Sequence, residues 1–236
     1  MSSLTNVNWD RLWRMSGINF VIPVIIAYVI YGDQPGVGAS TDDLVSFYDG
    51  DRTRILIASV IFGLAVLNLL WFAAAISNIL RDAGRGGWAT AMTTASAAVG
   101  AVFFALITIG AALAYSIASS GNETFASGLN DVSWAVIVMS SFPRAMLIMA
   151  GSFGLWRAGI ISTPPFLAGV AAVLLVLARG TTWANDGIWA PDGAYSQFAS
   201  PVIGVVWILG ISAVLLMGSP STERAAERAE MPVTAW

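Results

Sequence analysis

Six apolar stretches almost free of charge dominate this chain, at residues 15–31, 55–80, 87–119, 132–156, 165–182 and 201–217. A bilayer hydrocarbon core of about 30 Å needs ~20 apolar residues rising 1.5 Å each, and few soluble folds need so many such runs. Backbone polar groups in lipid are satisfied only in helices or closed barrels, and barrel strands alternate polar with apolar residues. These runs do not alternate. The expected fold is therefore all-α: a polytopic bundle of six transmembrane helices filling residues 1–218, with a short cytoplasmic tail at 219–236.

Composition narrows the chemistry. Apolar residues make up 57% of the 236-residue chain and charged residues 11%, leaving room for one bundle and no separate soluble domain. The chain has no Cys and no His, which removes the usual zinc, copper, haem and iron–sulfur ligand sets along with thiol nucleophiles and imidazole bases. All 11 basic residues are arginine, so no lysine is present to form a Schiff base. No metal and no cofactor is expected. A bacterial origin is read from the wealth of Ala, Gly, Val and Arg.

Arginine placement sets the expected orientation. With six spans, Arg11, Arg14, Arg81, Arg85, Arg157, Arg224 and Arg228 share one side. The opposite side holds Asp33, Asp42, Asp43, Asp49, Asp51, Glu123, Asp131, Asp186 and Asp192, with Arg52, Arg54 and Arg179 at its rim. Retention of arginine on the cytoplasmic side places both termini in the cytoplasm of a multi-pass protein of the bacterial plasma membrane. The net charge of −3 reflects the acidic outer loops, and no nucleic-acid partner is expected. The first run lacks a small-x-small cleavage site after Tyr31 and reads as a retained helix.

The links differ by side. Those at 81–86 and 158–165 are short and predict antiparallel hairpins, whereas 32–51 and 180–200 are long. Within the first long link, residues 41–48 predict a short amphipathic helix with Thr41 as N-cap. Trp183, Trp189 and Tyr195 in the second suit an aromatic belt at the headgroups or a cap over a central cavity. The fifth helix, led by Pro164 and Pro165, is short. It leaves Arg179 near the outer rim, where Asp186 and Asp192 are expected to form ion pairs with it.

One feature resembles a site. Arg144, preceded by Pro143, falls in the middle of the fourth run, about 20 Å below the outer surface by helical rise. Asn68, Ser96, Ser140 and Ser141 fall at or near the same depth, and the apolar runs hold no carboxylate at that layer. A charge there costs at least ~2.5 kcal/mol on insertion scales. One reading is a structural polar knot, with Arg144 bonded to Asn68, serines and carbonyls or snorkelling to cytoplasmic phosphates. The other is a guanidinium that awaits an anionic head group or solute, since its five donors match carboxylate or phosphate.

Several short motifs carry a family resemblance. They are Arg11-Leu12-Trp13-Arg14-Met15-Ser16-Gly17, Phe47-Tyr48 followed by Arg52 and Arg54, Trp71 with Leu80-Arg81, and Gly154-Leu155-Trp156-Arg157-Ala158-Gly159-Ile160-Ile161. Over nearly its whole length the chain resembles a large actinobacterial family of six-helix integral membrane proteins of unknown function. The resemblance implies the architecture and a bacterial plasma membrane, and it supplies no catalytic residues. Nothing in the chain forms a nucleophile–base pair, and no catalytic residue is assigned. The expected role is a non-enzymatic accessory or partner-binding membrane subunit in the lipid bilayer, with a membrane-protein partner or a homo-oligomer as its associates. The alternative is a small transporter or a lipid-head-group or anion binder using the layer around Arg144.

Overall fold

The computed structural model describes residues 9–217, with side chains from Met15 onward, and every regular element among them is helical. The side chains of Arg11 and Arg14 and the whole 219–236 tail lie outside the described residues. In chain order the helices are α1 (Trp9–Tyr31), α2 (Thr41–Tyr48), α3 (Arg52–Asp82), α4 (Gly86–Ala112), α5 (Glu123–Met139), α6 (Ser141–Arg157), α7 (Thr163–Arg179) and α8 (Ser200–Met217). A π-helical turn extends α4 over Leu113–Ile117 and another leads into α8 over Tyr195–Ala199. Four continuous stretches, Arg52–Asp82, Gly86–Ile117, Glu123–Arg157 and Tyr195–Met217, are long and apolar enough to cross a membrane, while Met15–Tyr31 and Thr163–Arg179 are shorter apolar helices.

The packing order follows from the links. Helices α1, α3, α4, α6, α7 and α8 close into a ring in which each packs on the next and α8 returns to α1. At the end carrying Arg81, Arg85 and Arg157 the turns are tight. Arg85 N–H donates to the Leu80 carbonyl at 2.7 Å and Ile160 N–H to the Leu155 carbonyl at 3.0 Å. Each turn passes through a glycine in the left-handed region, Gly84 (φ 71°) and Gly159 (φ 72°), where a side chain would be strained.

That end of the ring is solid. Phe72, Ile76 and Leu80 of α3, Ala89 and Met92 of α4, Ala150 and Leu155 of α6 and Ile211 and Leu215 of α8 form one buried cluster. Small residues bring the axes together there, as expected where lipid gives helices no hydrophobic drive to associate. A Cβ on Gly151 would lie 2.7 Å from the Trp207 ring, and one on Gly169 would strike the Ser152 hydroxyl. Into that space Trp207 of α8 donates its indole N–H to Ser152 of α6 at 2.8 Å.

The fourth apolar run is one continuous stretch interrupted at a single residue, Ser140, which divides it into α5 and α6. Pro143 has no amide with which to bond the Met139 carbonyl, and the chain breaks at Ser140 between α5 and α6. The Ser140 hydroxyl turns back to the Ile137 carbonyl at 2.6 Å and that of Ser141 to the Val138 carbonyl, so both serines serve the break. Two further expectations shift. The cap of α2 is Ser40, whose hydroxyl accepts from Asp43 N–H at 3.2 Å, one residue ahead of Thr41. Helix α7 stops at Arg179 instead of continuing to 182, because Gly180 and Thr181 turn back on the Leu177 and Ala178 carbonyls.

Candidate functional site

Toward the acidic end the ring widens around a cavity of about 300 Å³. One face of α5 and α6 marks its depth: Ser133, Ile137, Ser140, Arg144, Leu147 and Ile148 line it in turn, continuing through the break. The roof is polar and the floor apolar. Asp33, Gln34, Tyr48 and Trp134 line the upper part, and Leu69, Val99, Trp207 and Ile208 the lower.

The roof is built on Asn130 of α5, which has no exposed surface. Its amide oxygen accepts from Gln34 Nε2 (3.2 Å) and the Tyr48 hydroxyl (2.9 Å). Its amide nitrogen donates to the carbonyls of Pro35 (3.2 Å) and Gly36 (2.9 Å). One turn on, Trp134 donates its indole N–H to the Pro35 carbonyl at 2.9 Å. The link after α1 is also tied by its amides, since Val37 N–H reaches Asp192 at 3.1 Å and Gly38 N–H reaches Asp131 at 3.0 Å. Burial foremost, and then neighbouring Tyr31, push the Tyr48 phenol well above its ordinary range, so it stays a donor to Asn130.

Two arginines face this cavity. Arg144 donates from Nη2 to the Ser200 carbonyl at 3.0 Å, and its guanidinium approaches Gly204. Side chains on a helix lean toward its N-terminus, so Arg144 reaches from α6 toward the acidic end, away from the arginine-rich end. It keeps some accessible surface because the cavity lies before it. Arg179, at the last turn of α7, is only 5% exposed, and its Nε has no hydrogen-bond partner. Among the described residues the sole ion pair is Arg54–Asp51 at 2.6 Å, so neither cavity arginine is paired with a carboxylate. Asp33 lines the roof outside ion-pair distance, which leaves the cavity with two guanidinium groups against one carboxylate.

The expected site residues therefore divide. Ser140 and Arg144 line the cavity together. Asn68 donates instead to the Leu64 carbonyl of its own helix at 3.0 Å, and Ser96 to the Thr93 carbonyl at 2.8 Å; neither lines the cavity. Equal depth had suggested contact, but depth says nothing about which way a helix face turns. The rim pairs of Arg179 with Asp186 and Asp192 do not form. The 183–194 segment folds on its own backbone, Asp186 stays exposed, Asp192 accepts from Val37, and Arg179 turns inward.

Trp183 and Trp189 are also exposed and outside the cavity, so its roof comes from residues 32–34, Tyr48 and α5. Sequence reasoning missed Arg179, Gln34, Tyr48 and Asn130 as neighbours of one space. A signal existed for Arg179, since a helix as short as α7 ends below the level reached by its longer neighbours. The hydroxyls of Thr182 and Ser196, 2.9 Å apart, close the turn beside it.

Compared with known protein families, curated proteins and solved structures, the chain matches none of them.

Proposed function

We propose that this is an anion-binding integral membrane protein whose site is the two-arginine cavity, set in a bundle of six spans with both termini cytoplasmic. The observation that carries the reading is Arg179, buried, unpartnered at Nε and facing the same space as Arg144, with no carboxylate in ion-pair range. Guanidinium groups are donors only, so what they take must accept hydrogen bonds, and an anion answers their charge as well. Desolvation strengthens such a contact far beyond its worth in water.

Six spans follow if α1 and α7 cross with the four longer stretches. At about 25 Å, α7 crosses with local thinning of the bilayer at its arginine end. Arginine retention then puts Arg81, Arg85 and Arg157 in the cytoplasm and the cavity in the outer half, and the resemblance to an actinobacterial family supports a bacterial plasma membrane as the one that is crossed. An accessory or partner-binding role has no observation of similar weight, because exposed apolar residues such as Val60, Leu174 and Val206 belong on any lipid-facing surface.

The test is retention of anions by the purified full-length protein, read by native mass spectrometry beside its melting temperature. Wild type carries anionic lipid or solute; Arg144→Met and Arg179→Met lose it while still unfolding cooperatively, because neither strands a partner charge. Arg144→Lys restores little, since a point charge replaces a planar fork. Full retention in the double Met variant overturns the reading.

A further inference from the structure

We propose that the anion is the head of a single-chain amphiphile, bound with its head between Arg144 and Arg179 and its chain on the Trp207–Ile208 floor. This rests on the anion reading and adds the ligand's class and direction. The cavity is graded. At the level of Ser200 stand the two guanidinium groups with Ser196 and Gln197. Ile208 lies eight residues farther along α8, about 12 Å deeper, among Leu69, Val99 and Ile148.

The polar atom at that depth is already used, because the Trp207 indole N–H is bonded to Ser152. A small inorganic anion would satisfy the arginines and leave the floor facing apolar emptiness, which water does not fill. A chain fills it and gains dispersion contacts along its length. The depth sets the chain's length. The roughly 12 Å from the Ser200 level down to Ile208 takes one extended chain of about ten carbons, ending on the Trp207–Ile208 floor. A cationic head is repelled by both arginines, and a neutral one leaves their charge unanswered.

The experiment titrates the full-length protein in nanodiscs of zwitterionic lipid with decanoate, decyl phosphate, decyltrimethylammonium, acetate and inorganic phosphate, by calorimetry. At least one decyl anion is expected to bind 100-fold or more tighter than its chainless counterpart, and decyltrimethylammonium not to bind. Which decyl anion wins, decanoate or decyl phosphate, tells a carboxylate head from a phosphate head. Affinity should rise about fourfold per added methylene and level off near ten carbons. Both Arg144→Met and Arg179→Met abolish decyl-anion binding.

Val205→Trp, which narrows the chain region between Ser200 and Ile208, weakens decyl anions while leaving the chainless anions unchanged. If that variant does not fold, the chain-length series on wild type reports the same property. Chainless anions binding as tightly as decyl anions, or affinity indifferent to chain length, overturns the amphiphile proposal and leaves the anion reading standing. Equal binding of decyltrimethylammonium, or no binding of any anion, overturns both.

Discussion

Removing the Asn130 side chain should damage the roof more than any other single truncation near the cavity. Asn130→Ala deletes two accepted and two donated hydrogen bonds at a position with no exposed surface. The partners do not suffer equally. Gln34 keeps Ser133 at 2.7 Å, Pro35 keeps Trp134, and the Gly36 carbonyl keeps Ala39 N–H at 3.3 Å. Those three losses cost about 0.5–1 kcal/mol each.

The Tyr48 hydroxyl is different. Its side chain is 1% exposed, and beside its bond to Asn130 it keeps Tyr31 as a second hydrogen-bond partner, so truncation costs ~1–2 kcal/mol there. The four losses together come to about 2.5–5 kcal/mol. Equilibrium unfolding in mixed micelles measures it, and a cycle with Tyr48→Phe isolates the Tyr48–Asn130 bond. The double variant should be more stable than additivity predicts by ~1 kcal/mol, because both substitutions remove that same bond. A loss below about 1 kcal/mol for Asn130→Ala, or additivity within ~0.5 kcal/mol, would refute the assignment of Asn130 as the roof's centre.

Two more outcomes test the packing and the orientation. Gly151→Ala places a methyl 2.7 Å from the Trp207 ring and should destabilise by about 1–3 kcal/mol in the same unfolding assay; a neutral result would mean that α6 and α8 separate at little expense. For orientation, cysteines introduced at the exposed Ser46 and Ala184 should react with an impermeant maleimide in intact cells, while one at the exposed Ala83 should not. The inverse pattern would place the cavity in the cytoplasmic half.

The apolar runs made the helices legible, because runs of that length without alternation have few other uses. Arg144 was legible for the same reason, as the one charge deep within such a run, whereas the interruption at Ser140 was not read, although Pro143 withholds the amide that would have bonded the Met139 carbonyl. Asn130 was not legible. It stands beside Asp131 at the head of a run, where polar residues are ordinarily solvated, and only the folded link after α1 buries it.

Arg179 was misread for a physical reason. Sequence offers nearby acids and a position at a helix end, whereas its direction depends on how α7 rotates against α6 and α8. The cavity itself is invisible in one dimension, since Leu69, Val99 and Ile208 read like any packed core. Its existence depends on the ring remaining open above Met92 and Ala150, where the buried cluster closes it.

The two arginines set a problem of stability whose solution bears on function. Each guanidinium in an apolar span costs at least ~2.5 kcal/mol on insertion scales, and mutual repulsion across one cavity adds to this. A structural ion network would offset that cost with carboxylates in ion-pair range, and neither cavity arginine has one. Here the offsets are one carbonyl bond from Arg144 and a distant Asp33. Methionine has a similar reach and carries no such cost, so an arginine in either position is the less stable choice for the empty bundle. The balance reverses only when something anionic occupies the space between them. The bound state then recovers two desolvated charges at once, which makes occupancy and stability the same measurement: a ligand that fits must raise the melting temperature of wild type and leave that of the doubly substituted protein where it was.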